Sequence, residues 1–189
     1  MFSSKNTLIS CLFLSSCTTW YYRLGSEKIK WDQEEYEFVN EFFMGTIDLD
    51  KVNLHYAGWD NNDGTCFALN NDIYFNALLD YEADPKSFRS TLIHELSHVW
   101  QNQNFSNNAF ELDPNAYVTT EYHYNLLPEK HLTEYGTEQQ AAIIQDYFNW
   151  TYSGVETCAH SLDLEYCNYG NLDLIKEIAY KRYLELQDI

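Results

Sequence analysis

The sequence predicts a mixed α+β domain in which a small sheet packs on one long helix, with further helices beside it. Three observations carry this. Short runs of alternating polar and apolar residues between about Val52 and Phe75 have the two-residue period of strands. Four other stretches have helical period, and several begin at capping residues. The composition, 45% hydrophobic and 17% aromatic, is too rich in core-forming side chains for a disordered chain even at a net charge of -18. A length of 189 residues suits one compact domain.

The chain opens with Lys5, a short apolar run from Leu8 to Leu14, then small residues and Cys17. The run is too short for a spanning helix, which needs about 20 apolar residues, and fits a signal-peptide core. Leu14-Ser15-Ser16-Cys17 resembles the lipobox of bacterial lipoproteins, whose cysteine is acylated after cleavage. The expected organisation is therefore a signal peptide over 1–16, a lipid-anchored tether over 17–31 and the folded domain over 32–189. Lipid on Cys17 would place the chain at the cell envelope, facing the periplasm; the alternative is a secreted protein. Of the remaining cysteines, Cys158 and Cys167 close a short loop and are the preferred disulfide pair, leaving Cys66 as a buried thiol.

Within the domain, Asp32-Gln33-Glu34-Glu35 has capping-box spacing and starts a helix that Gly45 stops. Strands follow at 52–56, 65–69 and 72–75, with Asp60-Asn61-Asn62-Asp63-Gly64 as turn chemistry between two of them. Asp84-Pro85 opens a helix expected to reach about Gln103, with an acidic cap and proline in the first turn. Residues 104–134 are polar and broken by Pro114 and Pro128, with a tyrosine-rich strand or hairpin expected over 117–124. Thr137 to Trp150 is helical, with Thr137 and Gln140 at capping-box spacing and Gly154 beyond its end; 172–186 forms the last helix.

The chemistry concentrates in His94-Glu95-Leu96-Ser97-His98. Histidines four residues apart share one face of a helix, so both imidazoles can reach one zinc ion. The glutamate after the first histidine is then placed to take a proton from a zinc-activated water and pass it on. With His94 set to zero, His98 lies at about 40°, while Phe88, Leu92, Ile93, Leu96, Val99 and Trp100 fall between about 120° and 260°. The histidines therefore point away from the oily face, toward an expected cleft.

Catalytic zinc usually has three protein ligands, so a third is needed. Gln101 and Asn104 occupy the positions where a metzincin has glycine and histidine, which excludes that arrangement. A later helix offers Glu138, on a stripe with Ala142 and Asp146 opposite its apolar face. Glu138 is either the third ligand or a first-turn glutamate favoured by the helix dipole. Asp146 is correspondingly a carboxylate holding a ligand histidine from behind, or a replacement ligand. Tyr122, His123, Tyr124, His131 and Tyr135 are the candidate donors to a developing oxyanion. His55 and His160 read as surface or hydrogen-bonded residues.

His94 to Gln101 (HELSHVWQ), followed by Glu138-Gln139-Gln140-Ala141, resembles gluzincin-type metallopeptidases, and in particular a group of bacterial zinc peptidases. Some of that group are domains or neighbours of secretion-system proteins. The resemblance covers about 72–148. It implies a zincin-like fold, a sheet edge that aligns an extended peptide, Zn²⁺ on His94, His98 and Glu138, and Glu95 as general base and then acid. Ala142 departs from it, standing where gluzincins often carry an aspartate. The expected function is peptide or amide hydrolysis at the cell envelope, on a peptide, protein or peptidoglycan-peptide substrate. The rival expectation is a zinc-containing lipoprotein that turns over nothing and serves as a binding or structural module. With 29 acidic against 11 basic residues the chain would repel a phosphate backbone, so no nucleic-acid partner is expected.

Overall fold

A computed structural model of the chain describes residues 26–57, 66–76, 85–105, 122–154 and 172–187. The signal segment, Cys17, the Asp60–Gly64 turn, Asp84, most of the 117–124 stretch, and Cys158, His160 and Cys167 lie outside the described residues. The described part is a mixed α+β fold with a small mixed sheet and four α-helices.

The strands are β1 (Ser26–Ile29), β2 (Asn53–Ala57), β3 (Phe67–Leu69) and β4 (Asp72–Asn76). Their order across the sheet is β1-β2-β4-β3, with β2 and β4 parallel and the outer pairs antiparallel. The tether expected over 17–31 is thus corrected in its last part, because residues 26–29 are an edge strand. An outermost strand needs only one pairing partner, and backbone pairing to Leu54–Ala57 holds it without a strong alternating pattern of its own. β3 and β4 form a hairpin whose two-residue turn puts Asn70 at φ 58, a conformation that asparagine tolerates.

Helix α1 (Gln33–Phe42) begins at Asp32, whose carboxylate accepts the Glu34 and Glu35 N–H groups. The Glu35 carboxylate is turned away from that cap, onto Arg89 at 2.8 Å. Gly45, at φ 71, ends the turn by donating to the Asn40 carbonyl. Helix α2 (Pro85–Asn104) lies across the sheet, and α3 (Thr137–Phe148) packs along it. Helix α4 (Leu172–Leu184) packs against the far side of α3. The start of α3 differs by one residue from expectation: Gly136 caps it, and Gln139 rather than Gln140 accepts the Gly136 N–H. Its end continues as a π-turn over Asn149–Ser153 and stops at Gly154, in the left-handed region at φ 66.

Leu54, Ile73 and Phe75 share one sheet face by their two-residue spacing and pairing register, and form one core with Phe88, Leu92 and Leu96 of α2. The Phe75 and Phe88 rings lie 4.9 Å apart. Every residue from Leu92 to Gln101 is buried, so α2 has no solvent face along that stretch. His94 and His98, expected to look into a cleft, face Glu138 on α3, whose side chain is partly exposed. Cys66, expected as a buried thiol, is partly buried and packed against the core. Of the tyrosine-rich strand expected over 117–124, the described residues 122–124 hold only an isolated bridge at Tyr124.

Candidate metal centre

His94 and His98 point from α2 toward the first turn of α3, where Glu138 meets them. One carboxylate oxygen of Glu138, Oε2, is 3.3 Å from Nε2 of each histidine. One ligand atom from each of the three side chains lies within 4.8 Å of the others. The residues present fit a divalent cation on the chemistry of this donor set. Both remaining imidazole nitrogens, Nδ1 of His94 and of His98, face amide oxygens, of Gln145 at 3.1 Å and Gln101 at 2.9 Å. An amide oxygen only accepts, so each Nδ1 carries a proton, and each Nε2 lone pair is left facing a carboxylate oxygen. Without a proton or a cation between them, those groups would repel.

The electrostatics carry the same imprint. Burial works to raise the Glu138 carboxyl, but hydrogen bonds and charge from His94 and His98 outweigh it and hold the group far below the ordinary carboxylate range. Burial likewise opposes charge on His98, and Glu138, with help from Glu95 and Gln101, overrides it and raises the imidazole above its usual value. Glu95 goes the other way. Its burial dominates over the nearby histidines and pushes its carboxyl up, even though the Ala68 N–H of β3 donates to it. In the β3–β4 hairpin, Leu69 and Asp72 flank the turn as a hydrogen-bonded pair, so Ala68 occupies the alternate position. Its N–H points away from β4, which frees it for Glu95.

Asp146, expected behind a histidine or in place of Glu138, is elsewhere. It is 1% exposed and accepts the Tyr124 hydroxyl at 2.8 Å, while both Nδ1 atoms are taken by glutamines. The sequence signal for those glutamines is their spacing: Gln101 follows His94 by seven residues and Gln145 follows Glu138 by seven, so each lies within about 20° of a ligand on its own helix.

Of the candidate oxyanion donors, Tyr122 alone is placed at the site, its ring centroid 5.6 Å from that of His94. Burial, then Glu138 and Glu95, raise its phenol. The Gln139 side chain donates to the His123 carbonyl at 2.7 Å and so fastens this segment to α3. Tyr124 is spent on Asp146, the Tyr135 hydroxyl binds the backbone of Asn125 and Leu127, and His131 is exposed beside Glu185. His55 is hydrogen-bonded to Asp72 at 3.0 Å, away from the site.

No family model matches the chain. Over 125 residues it is 32% identical to the type VI secretion system spike protein VgrG2b of Pseudomonas aeruginosa, a match covering 60% of this chain and 12% of that protein's length. Among solved structures it resembles the effector domain of Pseudomonas aeruginosa VgrG2b, with a TM-score of 0.52 and 24% identity over 82% of this chain and 81% of that one. These relatives overturn the expectation of a gluzincin-family member acting at the envelope as a lipoprotein, and they lend no support to the silent zinc lipoprotein set against it. The physical reason is that a five-residue motif and one distant carboxylate define a local cradle and say nothing about how a chain is delivered or anchored. What the comparisons establish is a shared fold: this chain folds like the effector domain of a secretion spike protein.

Proposed function

We propose that the chain is an effector domain of the type VI secretion kind, with a zincin-like fold, and that it works as a zinc-dependent hydrolase. The observation that carries the reading is the convergence of His94, His98 and Glu138, with ligand atoms within 4.8 Å of one another. The similarity to a type VI secretion spike protein and to its effector domain supports the effector part of it.

His94 and His98 through Nε2, and Glu138 through its carboxylate, would hold the ion. When bound, zinc supplies Lewis acidity, making water a nucleophile near neutral pH and polarising a carbonyl. The chain's own residues do the rest. Glu95, next to His94 and oriented by the Ala68 N–H, takes the proton from the attacking water and returns it to the leaving group. Its burial raises its proton affinity above that of an ordinary carboxyl, which suits a group that must both accept and release a proton. Tyr122, whose ring centroid lies 5.6 Å from that of His94, is the residue assigned to donate its phenol to the oxygen that gains charge. β3 lies at the sheet edge against α2, with its Ala68 N–H on Glu95 and its Ala68 carbonyl facing outward for an extended peptide, which makes peptides the first substrates to test.

Zinc content and hydrolysis of a peptide library by wild type and Glu95→Gln test this. The expected result is equal zinc in both and a fall of about 10²–10⁴-fold in rate for the variant. Full activity in Glu95→Gln, or absence of zinc from the wild type, would overturn it.

A further inference from the structure

An imidazole can present Nε2 to a cation only when its ring proton sits on Nδ1, so whatever faces Nδ1 decides which nitrogen is available. In this chain that role falls to two neutral amides. The orientation of the first is dictated by a chain of bonds that ends on backbone. Gln140 Nε2 donates to the Tyr135 carbonyl at 2.7 Å, which leaves Gln140 Oε1 as an acceptor. Gln101 Nε2 donates to that oxygen at 3.0 Å and to the Thr137 carbonyl at 2.9 Å. Both partners only accept, so the amide cannot be turned over, and Gln101 Oε1 is the end that meets His98 Nδ1. Gln101 and Gln140 are 3% and 7% exposed, so water does not compete effectively for these bonds. The second amide, Gln145, donates through Nε2 to Ser90 Oγ at 3.1 Å and accepts from His94 Nδ1 at 3.1 Å.

Gln101 has a second consequence. Thr137 is the first residue of α3 and Glu138 the next, so the bond to the Thr137 carbonyl ties the turn bearing the carboxylate to the helix bearing both histidines. Gln145 ties the helices a second time, two turns further along α3. The three groups that meet at one point are thus held by two crosslinks between α2 and α3.

We propose that Gln101 and Gln145 are positioning residues for the metal centre: each accepts a hydrogen bond from Nδ1–H of one histidine, and Gln101 also sets the distance between the histidines and Glu138. The proposal rests on the zinc reading above. Because an amide is a weaker acceptor than a carboxylate, it leaves the ligand imidazoles less electron-rich than an aspartate would. A carboxylate at 145, which can still accept from His94 and from the Ser90 hydroxyl, therefore strengthens zinc binding.

The test is zinc affinity, by competition with a chromophoric chelator, for the full chain as wild type, Gln101→Met, Gln145→Met and Gln145→Glu. It is paired with ¹⁵N spectra of the histidine rings in the zinc-loaded proteins. Each methionine variant is expected to bind zinc about 10–100-fold more weakly and to lose the sharp Nδ1–H resonance of one histidine. Gln145→Glu is expected to keep that resonance and to bind at least as tightly as wild type. A general packing defect would not be repaired by a carboxylate and would not single out one ring proton. Should Gln101→Met fail to fold, the Gln145 pair, at a partly exposed position, carries the test alone. Wild-type affinity and an unchanged Nδ1–H signal in the methionine variants would overturn the positioning role while leaving the zinc reading intact. A wild-type chain that takes up no zinc would overturn both.

Discussion

Helix α3 has two buried sides of opposite chemistry. Toward α2 it presents Glu138, Gln140 and Gln145, in a connected set of hydrogen bonds that reaches both histidines. Toward α1 and α4 it presents Tyr147 and Phe148, in a cluster of rings around Phe42 that includes Phe38, Tyr152 and Tyr183. The aromatic side gains free energy from area removed from water, which is non-directional and tolerant of small shifts. The polar side gains little net stability per bond, but each bond fixes an atom's position and identity as donor or acceptor. One helix thus anchors the fold with one face and shapes a site with the other, and the two should fail independently.

The largest expected effect comes from breaking the aromatic side. Phe42 is 2% exposed and in ring contact with Tyr183 at 5.1 Å, so Phe42→Ala should cost about 3–5 kcal/mol in denaturant unfolding. Zinc stoichiometry of the folded fraction should be unchanged; joint loss of both would show that the two faces are one cooperative unit. On the polar side, Tyr122→Phe should lower the hydrolytic rate about 10²–10³-fold with zinc affinity preserved, as loss of an oxyanion donor does. A purely packing role for that ring would leave the rate within a few-fold.

A pH series sharpens the comparison further. Burial disfavours the charged form of His98, but Glu138 outweighs it, so without metal this imidazole keeps its proton above its ordinary value of about 6.5. Zinc needs the neutral Nε2, so affinity should rise roughly tenfold per pH unit through that region and level off once the proton is gone. Chelator competition from acid to mildly alkaline pH would show it, and a flat profile would contradict it. The smallest effect is expected at a hydroxyl on the aromatic side. Tyr183 donates its hydroxyl to the Phe42 carbonyl, and Tyr183→Phe should cost about 1 kcal/mol in thermal or denaturant unfolding, with no change at the metal centre.

Helix periodicity, the Asp32 cap and the alternation of the strands from 53 to 76 were all legible, because they are set by spacing along the chain. So was the juxtaposition of His94 and His98, four residues apart on one helix. The β1 strand was not, because its reason for being a strand is its neighbour. Asp146 was misplaced for a related reason: helical projection puts it near Glu138's face, but the choice between Asp146 and Gln145 as a histidine's partner depends on how α2 and α3 pack. The carboxylate went to Tyr124, a residue in a segment whose path along α3 is set by Gln139 and the His123 carbonyl.

What the sequence by itself determined is therefore the local vocabulary of this protein: which stretches are helix or strand, and which side chains share a face, since both follow from backbone geometry over a few residues. Only the tertiary structure decided the partners. Glu138 reaching two imidazoles across 40 or more residues, and two amides rather than an aspartate behind them, depend on the closeness and relative rotation of two helices. That arrangement is a property of the packed core as a whole, and no single segment encodes it.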